Sequence, residues 1–381
     1  MLSSHVCPNF KTHQILTGPH NPMSISKILI LKFSALGDIV HSLPVAATLR
    51  KSLPDSHIVW MVEERFQDLL LGNPDIDEII PLRTKVWRKN WNSQSLREIR
   101  DTIKTLRQHN FDLTLDLHGL IKSGIIARLS GAPNRTGFHS KNCKEKISAL
   151  FTNQKTPYIA GGLHVVDMYL TLLQTALGEI KVTKHFPLPI PEEIDKKSAH
   201  FFNTNSGLAE RPVIGINPGA GFATKQWELD RFANLADRIS AELGYSILLT
   251  WGPGEESKVQ QISNTMKQKS WIAPPTTILE SIALYKRMAL LVSCDSGPLH
   301  LAAALGVPTV SIFGPTDPAR NGAYGENHET VYKVLSCSFC WKKICPLGTQ
   351  DCTKQVTANE VFEAVKGHRR IKKQASLIEP M

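Results

Sequence analysis

The chain has 381 residues, of which 42 % are hydrophobic, and its formal charge is +10. This length suits two hydrophobic cores, since single cores stop growing near roughly 250 to 300 residues. No apolar run approaches the about 20 residues that a membrane-spanning helix needs. The basic balance favours anionic partners, namely phosphorylated small molecules near an anionic membrane. Dispersed basic residues without a zinc-finger, RNP or homeodomain pattern argue against nucleic acid.

The first 22 residues are polar and lack the apolar centre of a secretory signal. Met23 lies just before the first predicted strand, so either Met1 or Met23 is the native start. We expect residues 1–26 to be disordered or a non-native start. Seven cysteines without an export signal indicate reduced thiols in a cytoplasm.

Short apolar runs of β type alternate with helical patterns through the first half of the chain. The predicted strands are KILILKF (27–33), HIVWMVE (57–63), EIIPL (78–82) and DLTLDLH (112–118). Segments between them, such as SLREIRDTIKTLRQH, have apolar residues at helical spacing. This alternation predicts a doubly wound α/β domain over residues 27–184.

A proline-rich stretch, HFPLPIPEEIDKK, then interrupts the pattern, and residues 185–210 are predicted to be a linker and connecting helix. The alternation restarts with the strands PVIGIN (212–217), SILLTWG (246–252), LLVSCD (290–295) and PTVSIFG (308–314). We therefore predict a second α/β domain over residues 211–368, a tail over 369–381, and a cleft between the two domains.

Ligands of open α/β sheets bind beyond the carboxyl ends of the strands, which directs attention to the loops there. Asp38 follows the first strand where a helix begins. One interpretation is a helix N-cap. The other is a general base aimed into the cleft, with Gly37 allowing a ligand to come close. His41, one turn later, is either a second cleft group or a polar helix residue.

The loop NPGAGFATKQW (217–227) offers open backbone N–H groups and the charge of Lys225 to an anion. It is not a Walker P-loop, because Thr224 precedes the lysine and GK[ST] is absent. The alternative is a glycine-rich turn that binds nothing. The next loop, WGPGEESK, has two interpretations. In one, Glu255 or Glu256 accepts hydrogen bonds from a ribose. In the other, the two acids only stabilise the N-terminus of the helix that follows.

The loop after LLVSCD has the pattern that is most informative about a ligand. Asp295, Ser296 and Gly297 lie at the tip of a predicted strand, and the helix that follows offers free N–H groups to a diphosphate. His300 lies about one turn into that helix and is positioned to face the same anion.

The motifs SALGDIVHSLP and DSGPLHLAAALGVPTVSIFGPTDP resemble those of the ADP-heptose:lipopolysaccharide heptosyltransferases, glycosyltransferase family 9. DLHGLIKSG, RTGF, LHVVDMYL and PGAGFATKQW also match, so the resemblance runs from about residue 27 to 365. It implies an α/β GT-B fold, in which two Rossmann-like domains face a central cleft. It also implies inverting transfer of L-glycero-D-manno-heptose from ADP-heptose, with no cofactor required and no metal in the chemistry.

The same resemblance implies an acceptor in the Kdo and inner-core region of lipopolysaccharide, such as Kdo-lipid A, and peripheral contact with the cytoplasmic face of the anionic inner membrane. It implies roles for individual residues as well. Asp38 matches the catalytic base; Lys225, Glu256 (or Glu255), Asp295, Ser296, Gly297 and His300 match donor-binding positions; and His41, Lys122 and Ser123 fall on the acceptor side.

Two motifs point to different types of heptosyltransferase, so the type of this chain stays open. GDIVHSLP favours the first heptosyltransferase, which adds heptose to Kdo, whereas CSFCWKKICPLGTQDC (337–352) resembles a segment of the second-heptose branch. A different GT-B enzyme that uses a nucleotide sugar, or a binding protein without turnover, would also carry parts of this pattern. Three states remain open for Cys337, Cys340, Cys345 and Cys352: a structural zinc site, a disulfide, or buried free thiols.

Overall fold

The computed structural model describes residues 25–368 and residue 371. The predicted start over residues 1–26 and the predicted tail over residues 369–381 therefore lie almost wholly outside the described residues.

The first half is built on one parallel sheet of six strands in the order β3-β2-β1-β4-β5-β6. Its strands are β1 (Lys27–Leu31), β2 (His57–Glu63), β3 (Glu78–Leu82), β4 (Leu113–Asp116), β5 (Asn134–Gly137) and β6 (Gln154–Lys155). Its helices are α1 (Leu36–Ser52), α2 (Thr84–Lys89), α3 (Ser93–Gln108), α4 (Ile121–Leu129) and α5 (Val165–Leu177), with 3-10 helices over Glu64–Leu69, Ser140–Asn142 and Lys146–Phe151.

The second half repeats this plan with the order β12-β11-β10-β7-β8-β9. The strands are β7 (Val213–Asn217), β8 (Ser246–Leu249), β9 (Ser270–Ile272), β10 (Leu290–Cys294), β11 (Thr309–Ile312) and β12 (His328–Val331). The helices are α6 (Glu192–Thr204), α7 (Leu229–Leu243), α8 (Glu256–Thr265), α9 (Ile278–Lys286), α10 (Gly297–Ala304), α11 (Pro318–Asn321), α12 (Asp351–Lys354) and α13 (Ala358–Gly367), with a 3-10 helix over Ala223–Lys225.

Two parallel, doubly wound sheets confirm the predicted fold class. All eight predicted strands are present, and four short ones were missed: β5, β6, β9 and β12. Each of the four has at most four residues and carries polar side chains, so neither alternation nor an apolar run marks it. Each predicted domain range contains one whole sheet, and α6 begins directly after Pro191, within the stretch predicted as linker.

Strand order decides which loops meet. In each half the order reverses between the first and fourth strands, so the loops after β1 and β4, and those after β7 and β10, open a crevice at the carboxyl edge. The loops that carry Asp38, Lys225 and Asp295 all lie at such a reversal, whereas the loop after β8 does not.

Helix α1 is buried between the two halves. Twelve of its 17 residues are buried, and its apolar side chains surround the helix instead of forming one stripe. Such a helix needs neighbours on several sides, and α1 packs against α5 of its own half and α10 of the other half. Leu43 of α1 and Leu301 of α10 belong to one apolar core that both halves share.

Candidate active site

A cleft of about 680 Å³ is lined by residues from both halves. The first half contributes Lys32, Ala35, Asp38, Leu117, His118, Gly119, Phe138, Asn142, Cys143, Lys144, Val165, Met168 and Tyr169. The second half contributes Phe222, Lys225, Thr316, Asp317, Arg320, Asn321, Trp341 and Lys343. Lysine and arginine side chains outnumber carboxylates in this lining, which suits an anionic ligand.

Asp38 lies at the cleft in the first turn of α1. It is the third residue of the helix and not its N-cap, which is Ala35. Asp38 Oδ2 accepts a hydrogen bond from the Ala35 backbone N–H at 3.1 Å. The carboxylate therefore holds the end of the helix and remains 36 % exposed towards the cleft.

Lys32 lies buried behind Asp38, with its Nζ 4.0 Å from Asp38 Oδ1. The ammonium donates hydrogen bonds to the Leu117 carbonyl at 3.2 Å and to the Tyr169 hydroxyl at 2.5 Å. Burial by itself lowers the pKa of Lys32, but Asp38, Tyr169 and Asp116 raise it above its ordinary value. Lys32 thus supplies a fixed positive charge beside the Asp38 carboxylate.

In the second half, the acid predicted at the tip of β10 is paired with the predicted lysine. Lys225 Nζ lies 2.6 Å from Asp295 Oδ2, and the Thr316 hydroxyl donates to the same oxygen at 2.5 Å. Burial alone would raise the pKa of Asp295, but His300 and Lys225 lower it to about 2. Asp295 is therefore an anion that positions Lys225 at the cleft.

Two predicted histidines form a contact between the halves. His41 Nε2 lies 3.1 Å from His300 Nδ1, and His300 Nε2 lies 3.6 Å from Asp295 Oδ1. Burial, followed by the charges of His300 and His164, lowers the pKa of His41 well below its ordinary value. His41 is only 2 % exposed, so the structure places it in the domain interface and not on an acceptor surface.

Gly37 and Gly297 are used for packing between the halves. A Cβ atom at Gly37 would lie 2.3 Å from His300 Cδ2, and one at Gly297 would lie 2.6 Å from Leu36 Cδ2. The predicted role of Gly37, close approach of a ligand, is therefore wrong, whereas the predicted donor contact of Gly297, which rests on the free N–H groups at the start of α10, stays a prediction. The two glycines bring the N-terminal turns of α1 and α10 side by side.

Ser296 is the N-cap residue of α10, and its predicted contact with the donor stays a prediction. Its hydroxyl bonds with the Ser293 hydroxyl at 2.9 Å and makes no capping bond to the helix.

The two neighbouring glutamates differ in position. Glu255 Oε2 accepts from the Gly252 N–H at 3.3 Å, and a Cβ at Gly219 would lie only 2.2 Å from the same oxygen. Glu255 thus lies against the glycine loop after β7. Glu256, the first residue of α8, is exposed. This geometry favours Glu255 over Glu256 as the ribose contact.

The other two residues predicted for the acceptor side, Lys122 and Ser123, differ in their exposure. Lys122 is 40 % exposed, with its Nζ 3.8 Å from Glu63 Oε1, and burial and Arg88 lower its pKa despite Glu63. Ser123 has no exposed surface, and its hydroxyl donates to Asp116 Oδ2 at 3.0 Å. The structure therefore makes Ser123 a support for the loop after β4, and an acceptor contact by Ser123 is corrected.

His118, in that same loop, is a cleft residue that the sequence reasoning missed. Both of its ring nitrogens are buried without a hydrogen-bond partner, and burial together with Lys32 and Lys122 lowers its pKa to about 2. The imidazole is therefore neutral, and its two polar atoms are buried beside the cleft that the residue helps to line. The motif DLHGLIKSG contains this histidine, which was the signal available in the sequence.

Arg320 and Trp341 on the other wall were missed as well. The Arg320 guanidinium lies over the Trp341 ring at 5.4 Å, and the backbone N–H of Trp341 donates to the Pro315 carbonyl at 2.9 Å. Trp341 lies within the segment CSFCWKKICPLGTQDC, so this cysteine segment forms part of the cleft wall.

The four cysteines of that segment line one cavity of about 180 Å³ beside Thr224 and Pro315, and each is a half-buried free thiol. Within residues 25–368, three donor atoms lie within 4.8 Å of one another only at His57, Glu78 and His109, so no three cysteine sulphurs converge that closely. A zinc site stays a prediction that the metal content of the purified protein decides. Across the described part of the chain, every helix is too short or too polar to span a membrane.

Comparison with known proteins agrees with this architecture. Residues 99–350 match glycosyltransferase family 9 (heptosyltransferase). Lipopolysaccharide heptosyltransferase 1 of Campylobacter coli is 32 % identical over 89 % of this chain and 98 % of its own length. The protein of the same name from Pseudomonas aeruginosa is 29 % identical over 84 % and 87 %. The structure of E. coli heptosyltransferase WaaC with ADP covers 90 % of this chain and 99 % of its own, with 25 % identity and a TM-score of 0.70.

The family match spans more than half of the chain and includes cleft-lining loops from both halves, while the loop that carries Asp38 precedes the matched residues. Two Rossmann-like sheets around that cleft are the GT-B arrangement expected of such enzymes. This chain belongs to glycosyltransferase family 9, the heptosyltransferases, and is a glycosyltransferase with the GT-B fold.

Proposed function

We propose that this enzyme transfers L-glycero-D-manno-heptose from ADP-heptose to the Kdo region of the lipopolysaccharide inner core, with inversion. The observation that carries the proposal is the shared cleft, in which Asp38 of the first half faces Lys225 of the second. Relatives named lipopolysaccharide heptosyltransferase 1 and a solved relative with bound ADP support the donor and the acceptor class.

In this mechanism Asp38 is the general base. An acceptor hydroxyl gives its proton to the carboxylate as its oxygen attacks C1 of the heptose, and the bond between C1 and the diphosphate oxygen breaks on the opposite face. Lys32 places a positive charge 4.0 Å behind the Asp38 carboxylate. Exposure towards the cleft and a backbone bond that fixes the other oxygen suit Asp38 to this role.

The second half stabilises the leaving ADP. Negative charge grows on the diphosphate as the bond breaks, and Lys225 with the N-terminus of α10 provides fixed positive charge for it. Asp295 holds Lys225 in place at 2.6 Å, and Glu255 takes the ribose hydroxyls. As the family resemblance implies, we propose no metal ion in these steps.

On the acceptor side we propose Lys122, Lys144 and His118 as contacts for the carboxylates and hydroxyls of Kdo. Lys144 and His118 line the cleft, and Lys122 is exposed at the start of α4. Because this acceptor is lipid-linked, we place the reaction at the cytoplasmic face of the inner membrane.

The test is transfer from ADP-heptose to Kdo-lipid A, beside a reaction on an acceptor that already carries one heptose, both followed by mass spectrometry. We expect a gain of one heptose on the first acceptor only. A gain only on the second moves the enzyme to the second-heptose branch, which the cysteine segment favours. No gain on either acceptor contradicts the proposed function.

A further inference from the structure

One segment of the first half has almost no acids and therefore a high net positive charge. Residues 117–160 contain seven lysines and arginines and a single acid, Glu145, so they hold +6 of the chain's formal +10. The basic residues are Lys122, Arg128, Arg135, Lys141, Lys144, Lys146 and Lys155. Four of these side chains are exposed: Lys141, Lys144, Lys146 and Lys155. This part of the surface therefore attracts anions, over a range that shortens as the salt concentration rises.

Large apolar side chains stand exposed within the same segment. Ile147 is 57 % exposed and Leu150 is 79 % exposed, and both lie on the 3-10 helix Lys146–Phe151. Residues three apart eclipse one another on such a helix, so these two side chains leave from the same face. Ser148 and Ala149 between them are buried. The apolar pair is thus presented outward by a turn that is itself firmly packed.

The turn is anchored to α4, next to a third exposed apolar residue. A Cβ at Gly124 of α4 would lie 2.8 Å from Phe151 Cδ2 and 3.0 Å from the Ser148 carbonyl, so helix and turn are in direct contact. Ile125, the next residue of α4, is 40 % exposed. We call the surface formed by Ile125, Lys144, Lys146, Ile147 and Leu150 the basic apolar patch.

The basic apolar patch adjoins the entrance to the cleft. Asn142, Cys143 and Lys144 line the cleft, and the 3-10 helix begins only two residues after Lys144. A charged substrate alone accounts for the lysines, but it gives no reason to expose Ile147 and Leu150 beside them. A surface with anionic head groups over a hydrocarbon layer accounts for both features, since basic residues meet the head groups and apolar ones enter the boundary below.

We propose that the basic apolar patch docks the enzyme on an anionic lipid bilayer. Ile147 and Leu150 insert at the level of the head groups, while Lys144 and Lys146 pair with lipid phosphates, so the cleft opens towards the membrane surface. The orientation rests on the proposed function, in which the acceptor is lipid-linked. The docking itself rests on the exposed side chains and the charge.

The test uses sedimentation of the purified protein with vesicles of phosphatidylethanolamine and phosphatidylglycerol, and with vesicles of phosphatidylcholine alone. We expect binding to the anionic vesicles that weakens with added salt, and little binding to phosphatidylcholine. The double variant Ile147→Ser/Leu150→Ser keeps every charge, and we expect its affinity for anionic vesicles to fall by about tenfold or more. The matched control is Leu71→Ser, which changes a residue that is 50 % exposed and lies outside the cleft lining.

Equal vesicle binding by the double variant and the wild type overturns the proposal, as does equal binding of the wild type to both kinds of vesicle. Thermal unfolding of all variants excludes misfolding as the cause of a loss. Transfer to an acceptor without lipid chains is measured in parallel and should not change in the double variant. Vesicle binding without any transfer contradicts the proposed function alone, whereas transfer without vesicle binding contradicts the docking alone.

Discussion

Asp38 has two oxygens with different surroundings. Oδ2 accepts the Ala35 N–H, and Oδ1 faces Lys32 across 4.0 Å. The two interpretations of this residue, helix end and base, are therefore compatible in one side chain. One oxygen fixes the orientation of the carboxylate, and the other is available for a substrate proton.

We expect Asp38→Asn to lower kcat by about 10² to 10⁴-fold, because the amide cannot take the proton of the acceptor. Binding of ADP should change little, since the groups proposed to hold it lie in the other half. Steady-state transfer and calorimetric binding of ADP measure the two effects. Turnover close to that of the wild type would remove Asp38 from the role of base.

Whether a residue of the site could be predicted depends on the pattern that it leaves in the sequence. Asp38, Lys225 and Asp295 follow strands within distinctive motifs, and all three are found at the cleft or paired beside it. Lys32, Tyr169 and Arg320 were missed because their importance arises from contacts between elements distant in the chain. His41 was assigned to the acceptor side because a contact between two domains leaves the same pattern as a loop that approaches a substrate.

At the scale of elements, α1 packs closely against α10 at Gly37, a residue without a Cβ atom. Because a Cβ at Gly37 would lie 2.3 Å from the His300 ring, an added methyl group forces the two helices apart. We expect Gly37→Ala to lower the free energy of unfolding by about 1 to 3 kcal/mol, as overpacked sites usually do, and to reduce turnover with it. Urea unfolding and transfer kinetics measure both.

Gly161→Ala is the control for Gly37→Ala, since a Cβ at Gly161 would have no neighbour within 4 Å. The same loss of stability in both variants, or none in Gly37→Ala, would contradict the account of the helix contact.

The long apolar strands were predictable for a physical reason. Strands β1, β2, β7 and β10 are covered on both faces and need continuous apolar side chains. The edge strands β6 and β12 are short and polar, and they are defined by pairing with a neighbour, which a local pattern does not record.

At the scale of the whole molecule, several buried or half-buried histidines are held in the neutral form. Burial lowers the pKa of His41, His118 and His164, and it lowers that of His328 to about 4. Such a histidine takes a proton more readily in the unfolded chain, where its pKa is about 6.5. Below that pH the unfolded state therefore binds more protons, and the free energy of unfolding falls as the pH falls.

We expect the free energy of unfolding to decrease as the pH is lowered from 7.5 to 5. His328→Asn should reduce the slope of this decrease by at most about 1.4 kcal/mol per pH unit below pH 6.5. The effect of that variant should end near pH 4, where His328 of the folded protein also becomes charged. Urea unfolding at a series of pH values measures the slope. The exposed His200, changed to Asn, is the control, and an equal change of slope in both variants would refute this origin of the acid sensitivity.

The adjacent N-terminal turns of α1 and α10 have a further consequence for the catalytic cycle. Each helix end carries roughly half a positive charge, and Gly37 and Gly297 bring the two ends side by side across the domain boundary. Under the proposed function, a diphosphate held near these ends contacts both halves at once and ties them together. The ADP left after transfer still carries that diphosphate, so we expect bound ADP to keep the two domains together after the sugar has gone.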